Sequence, residues 1–403
     1  MKNFEEIKFE ISQGDNLTSE ESEKVFDKIL SQKIEENEII KFLIGLSKKG
    51  ESASEILGAI KSIKKNAKII EGFEDSFDTC GTGGDGAKTF NISTLTAIII
   101  SCCGVRVAKH GNKAVSSLTG SADVLSELGI NININDSKVK KCLDKLNLCF
   151  LFAPNFHPIL KNVADIRKKI GKRTIFNLLG PLLNPVQCKR QIIGVYNREK
   201  AEQIAETLKK MDIKKVWVVT CDNEDKTFYD ELTTLGFNYI EEISKNLIKT
   251  SHKKIKIKVA WSNQVKNGYN QSFIYQGRSD ILPDARGDAL ANVAIWHPDE
   301  KGTYSFPDRI YREGKDKASN YTKYLIGGNA KKNAGIIMKI LTNKDSGKEY
   351  LIKKDNVLFN CAAALMVAGI TEDLRDGFEI ANESIKSGSA LKKLNDLIEL
   401  TNK

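Results

Sequence analysis

With 403 residues, 41% of them hydrophobic, the chain can bury a substantial core and has room for two domains. No run of about 18 apolar residues occurs, which argues against a membrane-spanning helix. The eight cysteines form no C-x-x-C and accompany only four histidines. A thiolate metal site and a disulfide framework are both disfavoured, and buried thiols are the default. The formal net charge of +10 invites a nucleic-acid reading, so where the charge lies decides its meaning.

In chain order, the first sixteen residues mix charges of both signs and do not read as a signal peptide. Residues 18–70 read as helices. Thr18 and Glu21 make a capping box before Val25, Phe26, Ile29 and Leu30 at helical spacing. Gly50 stops the next helix, and a serine caps "SASEILGAIKSIKKNA". No strand is predicted before Phe77. From there "SFDTC", "VRVAKHGN", "CFLFAP", "KRQIIGVYN" and "KKVWVVTC" read as strands. The helices "GSADVLSELG", "FHPILKNVADIRKKIG" and "EKAEQIAETLKKM" fall among them, and further helices close the chain. Alternating strands and helices predict an α/β domain with a mostly parallel central sheet flanked by helices, preceded by a small all-helical domain.

The loop after "SFDTC" is "GTGGDGAKTFNIST". Its GTGGDG matches G-x-G-x-x-G. A dinucleotide fold also needs an acidic residue about twenty positions on. No Asp or Glu occurs between Gly86 and Ala122. A Walker loop fails too, because Ala87 separates Gly86 from Lys88. The acid-free stretch carries Lys88, Arg106, Lys109 and Lys113 with Ser93, Thr94, Ser116, Ser117 and Ser121. Such a set suits a polyanion, held by backbone N–H groups and hydroxyls. A phosphate-rich ligand brings magnesium, and the "YDELTT" turn offers Asp230 and Glu231 as carboxylates. Most of the excess charge lies between Lys245 and Arg278, which holds eight basic residues and no acid, with Trp261, Tyr269, Phe273 and Tyr275 among them. Basic residues among aromatics can bind single strands. The plainer reading of "KKIKIKVAW" is an edge strand with its lysines outward, and nucleic acid is not expected as a partner.

Taken together, "DTCGTGGDG", "NIST", "KHGNKAVSS", "GSADVLSELG", "RKKIGKRTIFNLLGPLLNP", "DEL" and "GGNAKKNA" resemble the anthranilate phosphoribosyltransferase family, in the family's order. The resemblance implies transfer of a phosphoribosyl group from phosphoribosyl pyrophosphate to the amine of anthranilate, in the cytoplasm, by a homodimer joined through its helical unit. Phosphoribosyl pyrophosphate would be held by Gly81, Gly84, Asp85, Thr89, Asn91, Ile92, Ser93 and Thr94. Lys109, His110, Gly111, Asn112, Lys113, Ala114, Val115, Ser116, Ser117 and Ser121 would complete that site. Anthranilate would meet Gly81, Asn112 and Arg167. Lys109, Asn112 and Arg167 would be catalytic. Two magnesium ions are implied, with Ser93, Asp230 and Glu231 as ligands. Two other readings are a non-catalytic nucleic-acid-binding relative and a pyrimidine nucleoside phosphorylase. The latter carries KHS where this chain has Lys109-His110-Gly111-Asn112.

The implied domains are 1–72, helical and joined by helices near 165–190, and 73–403, the α/β unit. This sequence departs from the family by Thr220-Cys221 after the last strand, by a longer path to Asp230, and by an insert at about 259–319 containing Trp261, Trp296, His297 and Tyr304. Its aromatics and turn residues predict a small β-rich addition outside the site.

Overall fold

The computed structural model describes residues 2–114, 118–222, 228–235, 237–245, 250–266, 269–278, 291–295 and 318–403. Val115, Ser116, Ser117, Trp296, His297 and Tyr304 lie outside the described residues, as do 246–249 and 267–268 of the basic run.

Four helices open the chain: α1 (Phe4–Gln13), α2 (Ser19–Leu30), α3 (Glu36–Lys49) and α4 (Ala53–Lys64). Their ends are set as the sequence predicts. Thr18 Oγ1 accepts from Glu21 N at 3.2 Å, and Glu21 Oε2 accepts from Thr18 N at 3.0 Å. Ser52 caps α4, and Gly50 ends α3 at φ +91°. Helix α1 was not anticipated. Its signals are the Asn3–Glu6 capping box and Gly14 at φ +92°.

The α/β part follows as β1 (Phe77–Gly81), α5 (Ile92–Ser101), β2 (Val107–Gly111), α6 (Ser121–Glu127), α7 (Asp136–Leu146), β3 (Leu148–Phe152), α8 (Ala153–Phe156), α9 (Ala164–Ile170) and α10 (Phe176–Leu179). Then come β4 (Arg190–Gly194), α11 (Arg198–Leu208), β5 (Lys215–Asp222), β6 (Phe228–Tyr229), β7 (Phe237–Lys245), β8 (Thr250–Lys266), β9 (Tyr269–Arg278) and β10 (Ala291–Ile295). Helices α12 (Ala330–Thr342), α13 (Lys348–Ala368), α14 (Leu374–Lys386) and α15 (Ser389–Asn402) finish it. The single helix predicted over "FHPILKNVADIRKKIG" is broken. Pro158 disfavours helical geometry at His157, whose φ and ψ are −122° and 61°, and the chain winds as a 3-10 turn before α9 begins.

The sheet runs β10-β9-β8-β7-β5-β4-β1-β2-β3, with β6 paired to β5. Its centre, β3-β2-β1-β4-β5, is parallel, and β7 to β10 extend it antiparallel. "KKIKIKVAW" is therefore not an edge strand: β8 is paired on both sides, by β7 and β9. Period-two alternation suits an interior antiparallel strand with one wet face equally well, so the pattern alone could not distinguish the two.

The two faces of the parallel sheet pack against different cores. Ile193, Val195, Val216 and Val218 join a core with α2, α3, α4 and α11. Ile192, Trp217, Val219 and Cys221 face the opposite core with α5 and α13. Val163, Ile166, Ile175, Phe176 and Leu178 also pack into the first core, beside the opening helices.

Candidate active site

The chain runs from β1 outward to β2 and β3, then returns across β1 to β4. The strand order reverses between β1 and β4, and the crevice at their carboxyl ends is where an open α/β sheet binds ligands. Those ends are Gly81 and Gly194, paired with each other. Their lack of a side chain is required by Asp230. A Cβ on Gly194 would lie 1.5 Å from the Asp230 carbonyl oxygen, and one on Gly81 would lie 2.5 Å from Asp230 Oδ2. Strand β6 folds back on β5 through Cys221 and Tyr229, and so delivers Asp230 into this notch.

The glycine loop closes over it. Gly83, Gly84 and Gly86 have φ of +66°, +77° and +81°, which side chains rarely tolerate. Gly83 N donates to Asp230 Oδ2 at 2.7 Å. Asp85 Oδ1 accepts from Ala87 N at 3.0 Å and its Oδ2 from Asp230 N at 3.3 Å. Thr89 Oγ1 donates to Glu231 Oε2 at 3.0 Å, and the Ser93 N–H at the start of α5 also favours the Glu231 carboxylate. Burial, then the Asp85 charge, pushes Asp230 up to about 7. Burial, then Asp230 and Asp85, pushes Glu231 well above the usual carboxylate range. No ion pair joins Asp230 or Glu231 to a lysine or arginine among the described residues. This crowding of uncompensated carboxylates fits a hard divalent cation. No three His, Cys, Asp or Glu side chains gather closely enough among the described residues to hold a metal alone. A cation held there would need further oxygens from a bound ligand.

The end of β2 supplies the second loop. A Cβ on Gly111 would lie 2.1 Å from Ser121 Oγ, so Ser121 packs directly on it. Asn112 O accepts from Ala122 N at 3.2 Å, and Asn112 Oδ1 from Lys113 N at 2.8 Å. Asp123 Oδ2 accepts from Ala114 N and Gly120 N, both at 2.9 Å, fixing the loop at both ends. Thr119 Oγ1 donates to Gly328 O at 2.6 Å, and Asn333 Nδ2 to Asn91 Oδ1 at 2.9 Å. The β2 loop, the "GGNAKKNA" turn and the start of α5 are thereby tied together.

Lys109 is 3% exposed. Its ammonium donates to Thr79 O and lies 3.4 Å from Ser93 Oγ, so its charge sits beneath the α5 N-terminus rather than projecting into the crevice. Asp78 holds this floor: it accepts from His110 N at 3.2 Å and from Asn184 Nδ2 at 2.8 Å. Burial pushes Asp78 up to about 6. His110 is buried, its Nδ1 3.2 Å from Gly180 O and its ring 5.3 Å from that of His157. Burial, then His157, lowers it to about 3, which removes it as a base near neutrality.

Half-buried Arg167 stands 5.4 Å from the Phe176 ring centroid, and Phe176 packs edge-on against Phe26 of α2 at 5.8 Å. Arg167 therefore lies beside the opening helices. Arg173, given no role by the sequence, stacks 3.9 Å over Tyr196, and a Cβ on Gly84 would lie 2.7 Å from its Nη2. Its place in the "RKKIGKRT" run was the available signal. Gly194 was also missed, although a glycine ending an apolar strand, "IIGV", marks a close backbone approach.

The glycosyl transferase family matches the chain in two parts, its helical bundle domain over residues 10–67 and its a/b domain over 74–268 and 291–391. The anthranilate phosphoribosyltransferase of Clostridium kluyveri is 38% identical over 394 residues, covering 98% of both chains. That of Thermoanaerobacter sp. is 38% identical over 386 residues, covering 96% of this chain and 95% of its own. The crystal structure of the Thermus thermophilus enzyme has a TM-score of 0.72 at 26% identity, covering 98% of this chain and 99% of that one. The fold also matches the Saccharomyces cerevisiae enzyme in complex with PRPP and Mg, at a TM-score of 0.73 and 24% identity over 99% of this chain and 98% of that one. The chain thus belongs to the anthranilate phosphoribosyltransferase family.

Proposed function

We propose that this protein transfers the 5-phosphoribosyl group from phosphoribosyl pyrophosphate to the amine of anthranilate. The products are N-(5-phosphoribosyl)anthranilate and pyrophosphate, a step of tryptophan biosynthesis. The observation that carries the reading is the convergence of the glycine loop, the α5 N-terminus and the Asp230–Glu231 turn on one crevice, at Gly81 and Gly194.

The glycine loop and the residues from Asn91 to Thr94 hold the pyrophosphate end of the donor, with the Lys109 charge beneath the α5 N-terminus. The loop from Gly111 to Ala114, with Ser121, holds the remainder of the donor. Asp230, Glu231 and the Ser93 hydroxyl would hold two magnesium ions, which would supply positive charge for the departing pyrophosphate. Arg167 grips the acceptor carboxylate through two parallel N–H groups and Asn112 orients the ring. No base is needed for the attack, because an aniline nitrogen is neutral at pH 7 with its lone pair available, and the proton it loses as the C–N bond forms passes to water. Holding that nitrogen at the ribose C1 supplies up to roughly 7–11 kcal/mol of the barrier reduction. The working unit is a cytoplasmic homodimer, with residues 1–72 and the 165–190 helices forming its helical domain.

The test is the loss of anthranilate fluorescence on mixing with phosphoribosyl pyrophosphate and magnesium. The signal should fall in step with pyrophosphate release, and pyrophosphate released without anthranilate would refute the proposal.

A further inference from the structure

After Glu231 the chain runs through Leu232, Thr233, Thr234 and Leu235 before β7 begins, and none of the four is more than 2% exposed. This buried strap belongs to neither helix nor strand, so its backbone polar groups need partners from elsewhere. Side chains provide them. Asn360 Oδ1 accepts from Leu232 N at 3.2 Å, and Asn360 Nδ2 donates to Leu232 O at 2.8 Å. Asn238 does the same for Thr233, at 2.7 Å from its N and 2.9 Å from its O. Asn356 Oδ1 accepts from Thr234 N at 3.1 Å while its Nδ2 donates to Thr234 Oγ1 at 2.9 Å. Thr233 Oγ1 accepts from Leu235 N at 3.0 Å. Two of the three asparagines, Asn356 and Asn360, stand one turn apart on α13 and are themselves linked, Asn360 Nδ2 to Asn356 O at 2.8 Å.

We infer that Asn356 and Asn360 are positioning residues for the reaction, holding the Asp230–Glu231 turn in the geometry that takes magnesium and pyrophosphate. The reason is geometric. Asp230 is joined to the glycine loop through Gly83 N and Asp85 Oδ2, and Glu231 to Thr89 Oγ1, so a shift of the strap would carry both carboxylates off these contacts. The Gly81–Gly194 notch limits Asp230 from one side. The paired amide contacts from α13 limit the turn from the other, in the manner of a sheet ladder made by side chains. A helix distant in sequence thereby sets the metal-binding conformation before ligand arrives.

This inference rests on the transferase reading, and the experiment separates the two. Asn360→Leu keeps the shape of the side chain and removes both amide contacts to Leu232. Binding of Mn2+ in the presence of pyrophosphate, followed by electron paramagnetic resonance, is compared with the metal dependence of turnover in parent and variant. The expected result is a rise of roughly tenfold or more in both metal midpoints and in the KM for phosphoribosyl pyrophosphate, with the anthranilate KM little changed. Excess metal should restore turnover. Where Asn360→Leu fails to fold, Thr234→Val removes one Asn356 contact from the strap side and is expected to move the same midpoints by a smaller factor. A folded variant with parental metal midpoints overturns the inference. A parent that binds Mn2+ with pyrophosphate but consumes no anthranilate overturns the transferase reading instead.

Discussion

At the residue scale, the site is built from glycines that make room and carboxylates that fill it. Gly194→Ala would place a Cβ 1.5 Å from the Asp230 carbonyl. The turn must then move, and a shift of about 1 Å at reacting groups costs on the order of a hundredfold in rate. The variant should lose turnover by about that factor with unchanged helical circular dichroism, and near-parental turnover would show that Asp230 does not need its notch. Arg167→Ala removes a charge-assisted pair worth about 1.5–3 kcal/mol. Its anthranilate KM should rise roughly tenfold to a hundredfold while the KM for phosphoribosyl pyrophosphate stays near the parent's. Equal rises in both would move the acceptor site elsewhere, with Arg173 beside Gly84 as the next candidate. Replacing Asp230 and Glu231 together by alanine should abolish magnesium-dependent turnover, and survival with the same metal dependence would remove them as ligands. Asp230 and Glu231 could be named from the sequence as candidate metal ligands because chemistry limits which residues can hold magnesium. Gly194 and Asn360 did not, because their importance comes from what lies against them.

At the element scale, the strands beyond β7 extend the sheet on the side away from β1 and β4. The β7–β8 pairing ends at Phe237 opposite Lys258, so a deletion from Val259 to Ser319 leaves that pairing whole. It removes β9, β10 and the β8 residues paired to β9 from Val259 onward. With a short Gly/Ser bridge the shortened protein should fold and keep turnover within roughly tenfold, about 1.4 kcal/mol in barrier. A folded but inactive product would make this segment part of the acceptor site. The sequence pattern identified these residues as β-rich, but the same alternation fits an edge or an interior strand. Which one forms depends on whether β9 arrives to pair.

At the scale of the whole molecule, buried ionisable groups of opposite sense balance. His110 and His157, lowered to about 3 and about 4, oppose folding when the unfolded chain can take protons, so their stability is full above about 6.5 and falls as pH drops from there. Asp78 and Asp355, raised to about 6 and about 7, act the other way: their stability is full below about 3.8 and is lost as pH rises through those values. The two sets offset between pH 4 and 6.5. His157→Gln removes one side of the balance. Relative to the parent it should gain about 2 kcal/mol in unfolding free energy between pH 7 and pH 5, measured by urea titration. A variant–parent difference independent of pH would mean that His157 titrates normally.

The helical opening and the alternating strands followed from the sequence alone, because capping and periodicity are local properties that survive without a fold. The linear pattern also carried the family resemblance. The switch point between β1 and β4, the notch that admits Asp230, the inward turn of Lys109 and the amide lattice under the turn were decided only by tertiary structure. The reason is physical: each depends on close approach between segments tens to hundreds of residues apart. A glycine or an asparagine has no special role until another backbone is pressed against it.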